Sequence, residues 1–159
     1  MDCIFCKIIN GEIPSYTIFE DDCVKVFLDI NPFSNGHSLI IPKKHFKDID
    51  DIDNETLIHI MDVARYVKKL LINKLNCDGV QLEQNNGDCQ EVKHFHLHVK
   101  PFYNEKQELF DVVDIYNKLK DDNLKEDWCP LLCIVIVIYY ISLYKYNNEY
   151  SCSYSSNGN

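Results

Sequence analysis

Between residues 91 and 101 the chain alternates strictly (EVKHFHLHVKP), and three of its six histidines fall on one parity, at 94, 96 and 98. Successive side chains of a strand point to opposite faces. An extended reading therefore puts Val92, His94, His96 and His98 on one side, and Lys93, Phe95, Leu97 and Val99 on the other. Phe95, Leu97 and Val99 face a core, and the imidazoles stand in a row with neighbours roughly 7 Å apart. One histidine in such a place is readily explained by packing; three in register are not.

The remaining segments supply partners for that strand. Residues 4–9 (IFCKII) suit one or two helical turns, ended by the Gly11 and Pro14 punctuation. Residues 16–20 and 23–29 alternate around Asp21-Asp22, a hairpin signal. Asn31-Pro32 and Asn35-Gly36 mark a loop before a short apolar strand at 37–42. The run 54–75 has helical periodicity, with Leu57, Ile60, Met61, Ala64, Val67, Leu71 and Leu75 on one face and Asn54 as its cap. A strand at 79–83, a polar loop at 84–90 and a shorter helix at 108–120 complete the pattern. The expected fold is α+β: a five-stranded, mostly antiparallel sheet with one long helix and a shorter C-terminal helix.

The 159 residues divide into a domain over 1–120, a charged linker at 121–130 and an unusual tail at 131–159. A net charge of −9 gives no basic surface for a nucleic-acid backbone, though it leaves room for a local phosphate pocket. Asp2 follows Met1 directly and Lys7 breaks the first apolar run, so no secretory leader is expected. The expectation is a cytoplasmic protein with reduced thiols, in which Cys3-x-x-Cys6 favours a metal site over a disulfide. Residues 131–144 carry no charge but fall short of the ~20 that a spanning helix needs. A membrane anchor, an added strand or oligomer contact, and a segment unrelated to the domain all stay open for them. His59, on the long helix, has no motif and reads as a surface residue.

An imidazole is neutral near pH 7 and attacks phosphorus without prior loss of a hydroxyl proton. Neighbouring imidazoles donate hydrogen bonds to the nonbridging oxygens, where charge grows in the transition state. A row of histidines thus suits transfer of a phosphoryl or nucleotidyl group without a catalytic metal.

The stretch HFHLHVK resembles the H-φ-H-φ-H-φ-φ motif of the histidine triad family up to its last position. CIFCKIINGEIPS, FLDINPFSNGHSLIIPKKH and NNG…QEVKHFHLH extend the resemblance over residues 2 to 103 and point to the Hint-type, or protein kinase C interacting, branch. The resemblance implies that His96 is the nucleophile and that His98 binds the α-phosphate. It implies that the His94 carbonyl orients His96, and that His37 supports the site. Asp29 would bind the ribose hydroxyls, with Asn85 and Gln90 contacting ribose or phosphate. Ile4, Phe5, Ile8, Phe27 and Leu39 would form the purine pocket, although by composition they read as core. Zinc-containing relatives imply a closed Cys2His2 site of Cys3, Cys6, His45 and His94, structural rather than catalytic.

Two departures stand out. NNGDCQ is two residues shorter than the usual loop, with Cys89 in a glycine position, and Lys100 follows the triad where an apolar residue is usual. The resemblance further implies a homodimer through the long helix and the strand after it, to which Ile58, Val63 and Leu70 would offer extra apolar surface. The implied activity is cleavage of purine nucleoside 5′-phosphoramidates or related conjugates through a nucleotidyl-histidine. Diadenosine polyphosphate hydrolysis and non-catalytic nucleotide binding are the alternatives.

Overall fold

The computed structural model describes residues 2–120; the linker at 121–130 and the tail at 131–159 lie outside the described residues. The elements are α1 (Ile4–Ile9), β1 (Thr17–Glu20), β2 (Val24–Leu28), β3 (Ser38–Pro42), α2 (Asn54–Leu75), β4 (Gly79–Gln84), β5 (Leu97–Phe102) and α3 (Val112–Leu119). The strands form one sheet in the order β1-β2-β3-β5-β4, antiparallel at every pairing. This is the expected α+β architecture. Among the described residues no helix is long and apolar enough to cross a membrane.

Register decides what each face of the sheet does. Phe27 pairs with Leu39, Leu39 with His98, and His98 with Glu83, so these four side chains form one row across β2, β3, β5 and β4. The helix α1 covers the apolar end of that face, where Cys3, Phe5, Ile8, Phe27, Leu39 and Ile41 make a buried cluster. The alternate row, Val26, Ile40 and Leu97, is buried too. On that side α2 packs over β3, β5 and β4 and against α3.

The long helix begins where the sequence suggests but is capped one residue earlier. Asp53, not Asn54, holds the extended cap position, and its carboxylate accepts the Thr56 N–H at 2.8 Å. Its buried stripe is Ile60, Val63, Ala64, Val67, Leu70 and Leu71, whereas Met61 is exposed. Val63 and Leu70, expected as spare surface for a dimer, are absorbed by the chain's own core; of the three, only Ile58 is exposed. His59 is not a bare surface residue either: its Nε2 lies 2.7 Å from Asp21 Oδ2, pinning α2 to the β1–β2 turn. The other Asp21 oxygen accepts the N–H groups of Cys23 and Val24.

Beneath the C-terminal end of α2 the chain passes through Gly36 at φ +87°, where a side chain would collide with Leu75 and Leu71. This close approach sets the loop that delivers His37 to the start of β3. The last helix also starts later than its periodicity suggests, at Val112, because the Asp111 carboxylate caps it by accepting Val113 N–H.

Candidate active site

The final strand is shorter than its alternation predicts, and this changes where the histidines go. Pairing begins only at Leu97, opposite Gln84 and Ile40. Upstream, the Phe95 N–H donates to the carbonyl of Phe46 rather than to a ladder partner, and His94 N–H bonds Val92 O. Residues 91–96 therefore lie outside the ladder, with bends over 91–94. The three rings keep to the side that α1 covers, where Phe5 meets both His94 and His96, yet they serve two different clusters. Those of His96 and His98 stand beside each other, centroids 4.9 Å apart, while His94 turns away toward the N-terminus. Phe95, Leu97 and Val99 are buried, as the parity predicts.

Backbone groups fix the tautomers of the rings that face the cavity. Phe33 N–H donates to His37 Nδ1 at 3.1 Å, so the His37 proton sits on Nε2. That Nε2 lies 3.0 Å from His98 Nδ1, which accepts, leaving the His98 proton on Nε2. His96 Nδ1–H donates to the carbonyl of His94 at 2.7 Å, leaving a lone pair on His96 Nε2. The site thus holds an unprotonated nitrogen on one ring and an N–H donor on the next. Burial favours the neutral forms: it lowers the pKa of His96 and His37, and it takes His98 down to about 4, helped by His96 and His37. Asp29 Oδ2 lies 3.7 Å from His37 Nδ1, but that nitrogen is already an acceptor, so the two make no ion pair.

These rings line a cavity of about 820 Å³. Ile4, Phe5 and Ile8 from α1, with Phe27 and Leu39 from the sheet, form its apolar wall. Phe5 meets the His96 ring edge-on at 5.2 Å between centroids. Asp29 stands at the end of β2, half-buried, its Oδ1 accepting Asn31 N–H. Asn85 lies across the cavity on the loop after β4. Ten of the residues singled out in the sequence thus line one cavity: Ile4, Phe5, Ile8, Phe27, Asp29, His37, Leu39, Asn85, His96 and His98.

Gln90 goes elsewhere. It is buried, and its amide nitrogen donates to Lys47 O at 2.7 Å and His94 O at 3.3 Å. Since the His94 carbonyl also receives His96 Nδ1–H, Gln90 braces the acceptor that aims His96 rather than lining the cavity. Lys100, the departure after the triad, bonds Glu83 at 2.8 Å. Sequence reasoning passed over Glu83 and Glu91, which also line the cavity, as does Val92, which parity had put on the histidine side. The register of β4 against β5 was the missing information for Glu83.

His94 occupies a second cluster. Cys3, Cys6, His45 and His94 bring one donor atom each to within 4.8 Å of all the others. His45 Nδ1 and His94 Nδ1 are 3.2 Å apart; Cys6 Sγ lies 3.3 Å from His45 Nδ1 and 3.6 Å from His94 Nδ1, and Cys3 Sγ lies 3.5 Å from His94 Nδ1. A tetrahedral zinc with ordinary bond lengths separates two nitrogens by about 3.3 Å and a nitrogen from a sulfur by about 3.6 Å. The four donors fit that geometry. His94 Nε2 bonds the carbonyl of Pro42 at 2.9 Å, which fixes its proton there and leaves Nδ1 as the ligand atom. Burial takes His94 down to about 4, keeping it in the neutral form that a metal requires. Burial, with Cys3 alongside, pushes the Cys6 thiol up, so paired thiolates here call for a cation.

Comparison with known proteins gives a consistent result. Residues 10–105 match the HIT domain. The chain is 41% identical over 126 residues to an uncharacterized HIT-like protein of Methanocaldococcus jannaschii, covering 78% of this chain and 97% of that one. It is 44% identical over 109 residues to the adenosine 5′-monophosphoramidase of Saccharomyces cerevisiae, covering 67% and 66% of the two chains. Among solved structures, a Zn-bound histidine triad family protein from Mycobacterium smegmatis superposes with a TM-score of 0.70 at 35% identity, over 76% of this chain and 91% of that one.

Proposed function

From the premise that the chain belongs to the HIT domain family, we propose that it is a nucleotide hydrolase of the Hint-type branch, cleaving purine nucleoside 5′-phosphoramidates at the α-phosphorus. The observation that carries this reading is the tautomer pattern: a lone pair on His96 Nε2 beside an N–H on His98 Nε2, each fixed through a backbone group. The resemblance to the yeast monophosphoramidase supports the same substrate class.

In the proposed reaction the apolar wall of Ile4, Phe5, Ile8, Phe27 and Leu39 takes the purine, and the Asp29 carboxylate takes the ribose hydroxyls. His96 Nε2 attacks the α-phosphorus, the N–P bond to the ring forms, and the bond to the leaving amine breaks. The amine departs with a proton taken from solvent, which the attacking water of the second step gives back. Positive charge that develops on the His96 ring is stabilised by its short bond to the His94 carbonyl, while His98 Nε2–H donates to a nonbridging oxygen. Water then attacks the nucleotidyl-histidine, releasing the nucleoside monophosphate and restoring His96. Asn85 contributes a polar contact on the far wall, His37 holds the His98 tautomer, and Gln90 positions the His94 carbonyl.

Cys3, Cys6, His45 and His94 would hold a zinc ion with no open coordination position, supplying a structural cross-link between α1 and the triad segment. A homodimer through α2 and β4 belongs to the same proposal. Its support is that β4 is an edge strand of the sheet and that Ile58 and Leu82 are exposed. Light scattering of the purified chain reads it directly.

The test uses the full chain with adenosine 5′-phosphoramidate and diadenosine tetraphosphate in parallel. AMP release from the phosphoramidate is expected, falling by at least about a thousandfold in His96→Ala. Acid quenching should trap a labelled adenylyl group on the wild-type chain only. ATP plus AMP from the dinucleotide as the faster reaction would transfer the chain to the polyphosphate hydrolases. Binding of AMP without turnover of either compound would make it a binding module.

A further inference from the structure

The loop that delivers His37 is held by a segment that does not line the cavity. Residues 103–111 form neither helix nor strand, and 104–111 are exposed. Their anchor is Asn35, which is buried at 5% exposure. Its Nδ2 donates to Glu108 O at 2.8 Å, and its Oδ1 accepts Phe110 N–H at 2.9 Å. These are the peptide groups on either side of Leu109, so one side-chain amide takes the part of a neighbouring strand. The Asn35 carbonyl accepts Tyr103 O–H at 3.0 Å, and Ser34 Oγ donates to Pro101 O at 2.6 Å. Residues 101–110 thus strap the loop over 34–35, directly before Gly36 and His37.

What the strap governs is a choice between two tautomer states. Within the loop, His37 N–H bonds Ser34 O at 3.0 Å, and Phe33 N–H reaches His37 Nδ1 at 3.1 Å. Asp29 Oδ2 lies 3.7 Å from that same nitrogen. With Phe33 N–H in place, Nδ1 accepts, and the His37 proton on Nε2 points to His98 Nδ1. If the loop loosens, Phe33 N–H withdraws and the carboxylate draws the His37 proton to Nδ1. His37 Nε2 then accepts, His98 donates from Nδ1, and His98 Nε2 is left with a lone pair. Each ring keeps one proton, moved from its Nε2 to its Nδ1. In that second state His98 has nothing to donate to a nonbridging oxygen.

We propose that Asn35 is a positioning residue, and that the strap it anchors selects the state in which His98 Nε2–H faces the phosphate. Asn35 touches no substrate; it acts through Phe33, His37 and His98 in turn. The catalytic consequence rests on the phosphoramidase reading above, whereas the tautomer choice does not depend on which nucleotide is cleaved.

Ring nitrogen-15 shifts of the full chain at neutral pH read the tautomers with no substrate present. The wild-type chain should show His37 and His98 with a bare Nδ1 and a protonated Nε2. Asn35→Ala should move both rings toward a protonated Nδ1. Phe110→Pro removes the N–H that Asn35 Oδ1 accepts, at an exposed position outside the loop, and should shift both rings the same way. With adenosine 5′-phosphoramidate, kcat should fall by about tenfold to a hundredfold in Asn35→Ala while KM stays nearly constant, because the lost donor acts on charge that grows in the transition state. Asn35→Asp keeps the acceptor for Phe110 but loses the donor to Glu108, and should fall between the two. Wild-type ring shifts in both Asn35→Ala and Phe110→Pro overturn the proposal, whatever the activity. A shift in Asn35→Ala that Phe110→Pro does not reproduce overturns the strap as its cause. If Asn35→Ala does not fold, Phe110→Pro alone decides. Tautomers that respond as expected in a chain that cleaves no phosphoramidate overturn the proposed substrate and leave the role of Asn35 standing.

Discussion

Replacing Gly36 by alanine separates two ways in which a tight turn can fail. At φ +87° an L side chain is strained whatever surrounds it, by roughly 1–2 kcal/mol. The new Cβ would also stand 2.5 Å from Leu75 Cδ1, 2.9 Å from Leu71 Cδ2 and 3.3 Å from Pro101 Cγ. Leu71 is fully buried and Pro101 is held in β5, so neither retreats freely. Forcing a methyl into such a site adds about 1–3 kcal/mol. The sum is a loss of about 2–5 kcal/mol for Gly36→Ala. Gly11 supplies the control: its φ is +76°, but a Cβ there meets nothing within 4 Å. Gly11→Ala should show the strain alone. Urea unfolding of the two variants, at a common slope, gives the difference directly. If Gly36→Ala is no more destabilising than Gly11→Ala, the contact with α2 is not what fixes this turn, and the reasoning fails.

Metal analysis of the purified chain should find one zinc per protomer. Cys6→Ser, removing a sulfur 3.3 Å from His45 Nδ1, should lower both zinc content and melting temperature; full zinc occupancy after loss of both thiols would sink the assignment. Asp53→Ala should lose about 1 kcal/mol of stability through the cap of α2, with little change for Asn54→Ala. Equal losses at both positions would contradict the assigned cap. Stability should fall as pH drops from about 6.5 toward 4, because the unfolded chain protonates His98 near its ordinary value while burial holds the folded one at about 4. The folded form binds fewer protons across that window, so acid favours unfolding. Urea midpoints across the window, compared with those of His98→Asn, check it; an identical acid slope in the variant would show that His98 is not the source.

Much of this was legible along the chain because the signals are local. The hairpin around Asp21, the 22-residue helix and the antiparallel sheet follow from periodicity and turn residues. So does the core face of the triad segment, since parity survives at Phe95, Leu97 and Val99 even where strand pairing has ended. The three histidines keep the side that α1 covers, but His94 joins a second cluster there. A pattern of alternate polarity records which residues avoid the core, but not that the Phe95 N–H leaves the ladder for Phe46. The same limit applies to partners distant in sequence. His59 meets Asp21 from 38 residues away, and Val63 and Leu70 fill the chain's own core instead of a second copy's. Among the pocket residues, Phe5, Ile8, Phe27 and Leu39 are buried and also line the cavity. Composition alone reads such residues as core, and only the family pattern gave them a second use.

The six residues of α1 are too few to hold a helix by themselves. The backbone hydrogen bonds of this segment are local, running from Lys7 to Cys3, Asn10 to Cys6 and Gly11 to Ile8. Its grip on the sheet is made by side chains: Phe5 against Phe27, His94 and His96, and the two thiols against His45 and His94. The segment is thus a detachable clasp, and one wall of the cavity travels with it. Oxidising Cys3 and Cys6, or crowding the first residues with a fused tag, would open the cavity along α1 while β1 to β5 kept their pairing. A preparation altered in this way would pass every test of folding that reads the sheet and still lack one wall of the cavity.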